Sequence, residues 1–310
     1  MALHEIFSHP EVRVYKSTLV SKATFFLICC VILTFVAPLL SVYRAYGFWK
    51  KEDFYTEQPV VRFKYQALLI LSTSTTQWTW STMTNLNALQ QENLLAVQMK
   101  VMESDSNLDG KYESLLVQIE APLASSENIL AAKLILLFDY KLSKLSDFTM
   151  QSMAYIDYSS SQSGASLSAT GQLCFKQKTP LKSSGIDVRY NDSVIPSTSV
   201  VSSDYQLSKI FLNYQQRNVT TMFDNALYVW ETGRPTGEPF RLNATVYYPP
   251  ARVLYLTGFW HLIKWAWVQY VPLLLVFLFV FDRIKVFVFQ NQIIGTLVQR
   301  PKVPCKQHDT

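Results

Sequence analysis

The chain has 310 residues, of which 49% are apolar, 16% charged and 14% aromatic. That is too apolar for a disordered segment and too sparsely charged for a surface wholly in water, so a folded protein seated partly in lipid is expected. Residues 44–262 hold 19 Lys/Arg and 19 Asp/Glu while the remainder holds 9 and 4, so the entire net charge of +5 lies outside the middle block. A displaced charge excess of this kind reads as membrane topology and excludes a nucleic-acid partner, since no basic stripe interleaved with aromatics occurs in the block.

Residues 1–22 form a short N-terminal segment. Residues 23–43 carry no charge, and a helix of that length reaches roughly 30 Å, the thickness of a bilayer's hydrocarbon core. This is the first predicted transmembrane helix. A cleavable signal peptide is the rival reading, disfavoured by the length of the apolar run and by the lack of a small-X-small site after it. Within residues 44–259, apolar side chains alternate over 60–71, 112–119, 134–141, 166–176 and 240–248, which predicts strands. Residues 204–217 instead place Leu207, Ile210, Phe211 and Tyr214 at helical spacing, with Asp204 as the expected N-cap. Residues 260–281 are the second predicted transmembrane helix, long enough if Lys264 snorkels. Pro38 and Pro272 should bend the two helices. Residues 282–310 form a C-terminal tail. The expected fold class is therefore a membrane protein with two transmembrane α-helices flanking a mainly β, sandwich-like extracellular or lumenal domain that carries one or two helices.

Three signals orient it. The tail carries Arg283, Lys285, Arg300, Lys302 and Lys306 against Asp282 and Asp309, which favours the cytosol. The N-glycosylation sequons at Asn191, Asn218 and Asn243 all fall between the predicted helices. Trp49 and Trp260, each closing a Gly-Phe-Trp triplet, join Trp265 and Trp267 as markers of one membrane interface. Both termini are then cytosolic. Cys29 and Cys30 lie in the first helix and Cys305 in the tail, which leaves Cys174 alone in the middle block without a disulfide partner. It is expected in the core, with an intermolecular crosslink as the alternative.

Between Arg44 and Leu262 the only histidine is His261, which removes Ser-His-Asp, Cys-His and His-ligated zinc mechanisms together. The nine glycines form no phosphate-binding loop. No enzyme is expected. The sharpest local motif sets Asp105, Asn107, Asp109, Lys111 (through its carbonyl) and Glu113 at alternate positions, with Gly110 at the turn. Alternating oxygen donors suit calcium, the one candidate cofactor, although Leu116 stands where an EF-hand has its bidentate glutamate. The plain alternative is an Asn/Asp-Gly turn feeding the next strand.

Several strings together resemble a known family: Phe7-Ser-His-Pro10, Gly47-Phe-Trp49, Val61-Arg-Phe63, Gln151-Ser-Met-Ala154, Arg217-Asn-Val-Thr-Thr221, Gly258-Phe-Trp260, Ala266-Trp-Val-Gln-Tyr-Val271 and Phe287-Val-Phe-Gln-Asn-Gln292. They are similar to the transmembrane protein 231 family, most specifically over residues 260–292. The resemblance implies a two-pass glycoprotein of the ciliary transition zone, in the membrane complex that includes tectonic and B9-domain proteins. It further implies a structural role in the barrier that controls ciliary membrane composition, and so in cilium assembly and hedgehog signalling, with no catalytic residues to transfer. The competing reading from another class is a calcium-dependent cell-surface receptor or adhesion protein that uses the Asp105 loop.

Overall fold

The computed structural model describes residues 13–124, 126–199 and 201–299. Residues 1–12 and 300–310, with Cys305 and the outer parts of both expected cytosolic segments, lie outside the described residues. In chain order the elements are β1 (Val14–Lys16), α1 (Lys22–Arg44), β2 (Glu52–Glu57), β3 (Val60–Ser72), β4 (Gln77–Ser81), α2 (Thr84–Leu89), β5 (Gln98–Ser104), β6 (Ser114–Ala121), β7 (Ala131–Leu142), β8 (Asp147–Ser159), β9 (Gly164–Gln177), β10 (Ile186–Tyr190), α3 (Leu207–Gln216), β11 (Val219–Thr232), β12 (Phe240–Tyr247), β13 (Ala251–Leu256), α4 (Phe259–Gln290) and β14 (Leu297–Gln299). They divide into two units, Glu52–Thr257 and a helical unit made from the stretches before and after it.

In Glu52–Thr257 two five-stranded sheets, ordered β10-β8-β7-β3-β4 and β11-β9-β12-β6-β5, share one core, and β13 pairs with β2 as a separate ribbon. Alternation builds the core from the second sheet: Leu115, Val117 and Ile119 of β6 and Leu242, Ala244 and Val246 of β12 are buried, while their intervening neighbours are not. Two glycines of β9 permit close packing there. A Cβ on Gly164 would lie 2.2 Å from the Trp230 ring and one on Gly171 2.5 Å from that of Phe223, so only glycine lets these β11 aromatics close over the strand.

The first sheet obeys a different rule. Leu134, Leu136 and Phe138 of β7 enter the sandwich core, whereas Ile135 and Leu137 enter a second cluster with Leu68 and Ile70 of β3, Leu86 of α2, and Ile210 and Tyr214 of α3. At its centre both faces of this sheet are dry, so residues 67–71, 134–138 and 150–154 are buried without a break. The expected sandwich with helices is therefore a three-layer arrangement, and the period-two reading held only where one sheet face is open.

Polar groups pin these layers. The Glu57 carboxylate accepts the amide hydrogens of Ser143 and Lys144 at 2.9 and 3.0 Å and closes the β7–β8 turn. The Arg217 guanidinium, 5.8 Å from the centre of the Tyr190 ring and 5.5 Å from that of Tyr214, donates to the carbonyls of Gln151 (3.0 Å), Tyr190 (3.3 Å) and Asp192 (3.2 Å). The Tyr214 hydroxyl accepts from the amides of Thr221 (2.8 Å) and Met153 (3.2 Å), and burial pushes its pKa up.

Two sequence expectations need correction. Asp204 does not cap α3: Gln206 stands at the N-cap in an extended conformation, and Asp204, in a preceding 3₁₀ turn, takes hydrogens from Ser199 Oγ at 2.7 Å and Lys209 Nζ at 2.6 Å. Cys174 is half-buried and not a core residue, because it alternates with buried Leu173 and so points to the other face of β9.

In the helical unit, Ser21 caps α1 by accepting the Thr24 amide at 3.2 Å. Among the described residues one helix, Lys22–Arg44, is long and apolar enough to cross a membrane. Residues 260–281 are helical as expected, within a 32-residue α4 that runs on to Gln290, so the first part of the expected tail is helical too. Replacing Tyr214 by Phe is expected to lower stability by about 1–3 kcal/mol, since the buried Thr221 amide loses its acceptor. Thermal unfolding of the full chain in detergent, with unchanged far-ultraviolet circular dichroism at low temperature, checks this.

Candidate functional site

The helical unit is an antiparallel pair. Phe26 near the start of α1 lies 6.0 Å from Phe289 near the end of α4, and at the opposite end Val42 and Phe48 pack on Ala266. Two side chains tie the pair. Gln269 Nε2 donates to the Gly47 carbonyl at 3.2 Å, and the Tyr270 hydroxyl donates to the Phe35 carbonyl at 3.2 Å. Phe35 is next to Thr34, whose carbonyl Pro38 deprives of its helical N–H donor, so the Tyr270 bond falls in the turn of α1 that the proline loosens. Sequence reasoning missed both ties. The available signal was a polar Gln-Tyr step inside an apolar run, which an apolar environment favours only if another helix accepts its hydrogens.

The four tryptophans expected at one interface all belong to this unit. Trp49 follows α1, and Trp260, Trp265 and Trp267 occupy the first turns of α4. Lys50 Nζ sits 5.0 Å from the centre of the Trp265 ring, which brings the two groups of tryptophans to the same end of the pair. Along the helices Phe25, Ile32 and Leu40 of α1 and Leu275, Val276 and Phe279 of α4 remain exposed. Apolar faces left open on both helices suit lipid chains or further helices.

The Asp105 loop joins β5 to β6, with Leu108 and Gly110 at positive φ (59° and 83°) making its reversal. It brings one carboxylate oxygen each from Asp105, Asp109 and Glu113 within 4.8 Å of one another. Much of its donor set is engaged internally. Asp105 Oδ2 accepts the Gly110 amide (2.9 Å), Asn107 Oδ1 the Asp109 amide (2.9 Å), Asp109 Oδ1 the Lys111 amide (2.8 Å), and Glu113 Oε2 the Ser106 amide (2.6 Å). The Lys111 ammonium leaves the cluster and donates to the Gln58 carbonyl at 3.0 Å. Asp105 Oδ1 is buried and has no hydrogen-bond partner. The three carboxylates would hold a calcium ion, with Asn107 less available because its oxygen already serves the turn.

The three sequons differ in geometry. Asn191 is exposed in the turn after β10. Asn243 lies within β12, opposite Gln118 of β6 and Ser168 of β9, and alternates with buried Leu242 and Ala244, so it points away from the core. Asn218 is held in a cyclic pair, its Oδ1 accepting the Thr179 amide at 2.8 Å and its Nδ2 donating to the Thr179 carbonyl at 3.4 Å. Such a pair uses the amide hydrogen syn to Oδ1, the position a sugar takes in the preferred trans amide.

The family model described as Transmembrane protein 231 matches residues 1–298. The chain belongs to that family. It is 46% identical to transmembrane protein 231 of Xenopus tropicalis over 299 residues, which covers 96% of each chain. It is 44% identical to that of Homo sapiens over 314 residues, 99% of each, and 45% identical to that of Bos taurus over 300 residues, 96% of this chain and 95% of the relative. No solved structure matches it significantly. Within the transmembrane protein 231 family this chain is a membrane protein whose larger unit is mainly β. If its glycans follow the geometry, mapping of glycopeptides from protein made in animal cells will find sugar on Asn191 and Asn243 and none on Asn218; occupancy at Asn218 would contradict the paired geometry.

Proposed function

We propose that this protein is a structural subunit of the ciliary transition-zone membrane complex, alongside B9-domain and tectonic-family proteins. It acts in the barrier that controls ciliary membrane protein composition, and through it in cilium assembly and hedgehog signalling. The observation that carries this reading is membership of the family over residues 1–298. The tied helix pair with open apolar faces supports it, because a scaffold in a membrane needs a rigid element with surface left for neighbours. In this reading α1 and α4 both span the bilayer, Glu52–Thr257 is lumenal, and both termini are cytosolic. The antiparallel pairing of β1 with β14, which joins the two ends of the helical unit on one side, supports that topology. The role is non-catalytic, consistent with a middle block whose only imidazole is His261. Tagged at the C-terminus and expressed at native level in ciliated cells, the protein is expected in a ring between the basal body and the axoneme. A uniform plasma-membrane distribution would reject the barrier role.

The buried, unpartnered Asp105 Oδ1 amid three converging carboxylates favours a second reading, in which the loop binds calcium and serves a cell-surface receptor or adhesion function. Titration calorimetry of the full chain is then expected to show saturable calcium binding with Kd of about 0.1–1 mM, as in extracellular modules, abolished by Asp105→Asn with Asp109→Asn. Absence of heat at millimolar calcium would remove calcium from the account.

A further inference from the structure

Where α1 begins and α4 ends, a groove of about 460 Å³ opens between β1, the first turns of α1 and the segment after α4. Its floor is apolar, made by Ala23, Leu27 and the Phe289 ring, and its rim carries Arg13, Ser17 and Thr24. Phe289 is fixed from two sides, with ring centroids of Tyr15 and Phe26 at 6.1 and 6.0 Å, so the floor is a built surface. Among the described residues at this end of the helical unit, Arg13, Lys16 and Lys22 bring three positive charges, no acidic residue occurs from 13 to 27, and Lys16 and Lys22 beside the groove are exposed. The first turn of α1 carries no acid, so the positive end of the helix dipole is not offset there. On α4, Asp282 is paired with Lys285 at 3.4 Å, and Arg283 adds a further positive charge.

We propose that this groove binds one anionic glycerophospholipid, with an acyl chain along Leu27 and Phe289 and its phosphate toward Arg13 and Lys22. An apolar floor beneath a basic rim matches a lipid better than a free anion, because a soluble phosphate gains nothing from the Ala23–Leu27–Phe289 surface. The floor also continues onto α1, so an acyl chain reaches it without leaving the bilayer. The inference rests on the reading of α1 as a membrane span.

The test is native mass spectrometry of the full chain released from detergent, with phosphatidylserine and phosphatidylcholine of identical acyl chains offered in turn. One phosphatidylserine is expected to be retained in preference to phosphatidylcholine. Lys16→Gln with Lys22→Gln, both at exposed positions, should cut that preference about fivefold per charge removed, and Lys22→Arg should keep it. Leu27→Trp should weaken retention of both lipids by filling the floor. Equal retention of the two lipids, or a preference untouched by the lysine changes, would overturn the proposal. So would full displacement by inorganic phosphate together with indifference to Leu27→Trp, which would mean anion binding at the rim alone. Flotation on phosphatidylcholine vesicles separates the two levels: a chain that does not float overturns the membrane reading and this site with it, whereas one that floats without lipid selectivity overturns the site alone.

Discussion

Burial of β7 on both faces is the constraint on which the larger unit depends. A strand sends successive side chains to opposite sides, so the run Leu134 to Phe138 can be dry only if a layer covers each side. One cover is the second sheet, through Val117, Leu242 and Val246, and the other is the helical layer of α2 and α3, through Leu86, Ile210 and Tyr214. Along its length β7 pairs with β3 on one edge and β8 on the other, which satisfies its backbone where no water reaches. The polar ties then sit where layers must be joined: Tyr214 links α3 to β8 and β11, and Arg217 links the end of α3 to β8 and the loop after β10.

The helical unit is joined differently. Much of the apolar surface of both helices stays exposed, and a small residue and side-chain hydrogen bonds set the register between them. Ala266 lets α4 approach Val42 and Phe48, and Gln269 and Tyr270 reach carbonyls of the opposite segment. Pro38 belongs to this scheme: the helix it weakens is the one whose nearby carbonyl is taken by Tyr270.

The outer face of the second sheet is the open side of the β unit. Gln118, Thr170 and Asn243 alternate with buried residues, and Lys100 and Val229 with half-buried ones. A sugar on Asn243 would stand in the middle of that face, and the Asp105 loop lies at the end of its β5–β6 hairpin. Its two end strands are β5 and β11, each paired on one side only among the described residues.

Charge segregation, the uncharged run at 23–43, the alternation in β6, β9 and β12, and the spacing of Leu207, Ile210 and Tyr214 were legible because they are periodic or cumulative along the chain. The Asp105 motif was legible too, since all its ligands come from one short loop. Strands β8 and β11 were not. β8 carries buried Gln151 and Ser152 in its centre, and β11 has a bulge near Asn225 that breaks its alternation. The cap of α3 was misread because Asp204 is bound to Ser199 and Lys209, a choice made by contacts and not by propensity. Sequence alone therefore determined which segments are apolar, which alternate and which carry charge, because these are local sums. Only the tertiary structure decided that one sheet is buried on both faces, that Tyr270 meets a carbonyl 235 residues away, and that Val14, Leu27 and Phe289 frame one groove, because each depends on segments that chain order keeps apart.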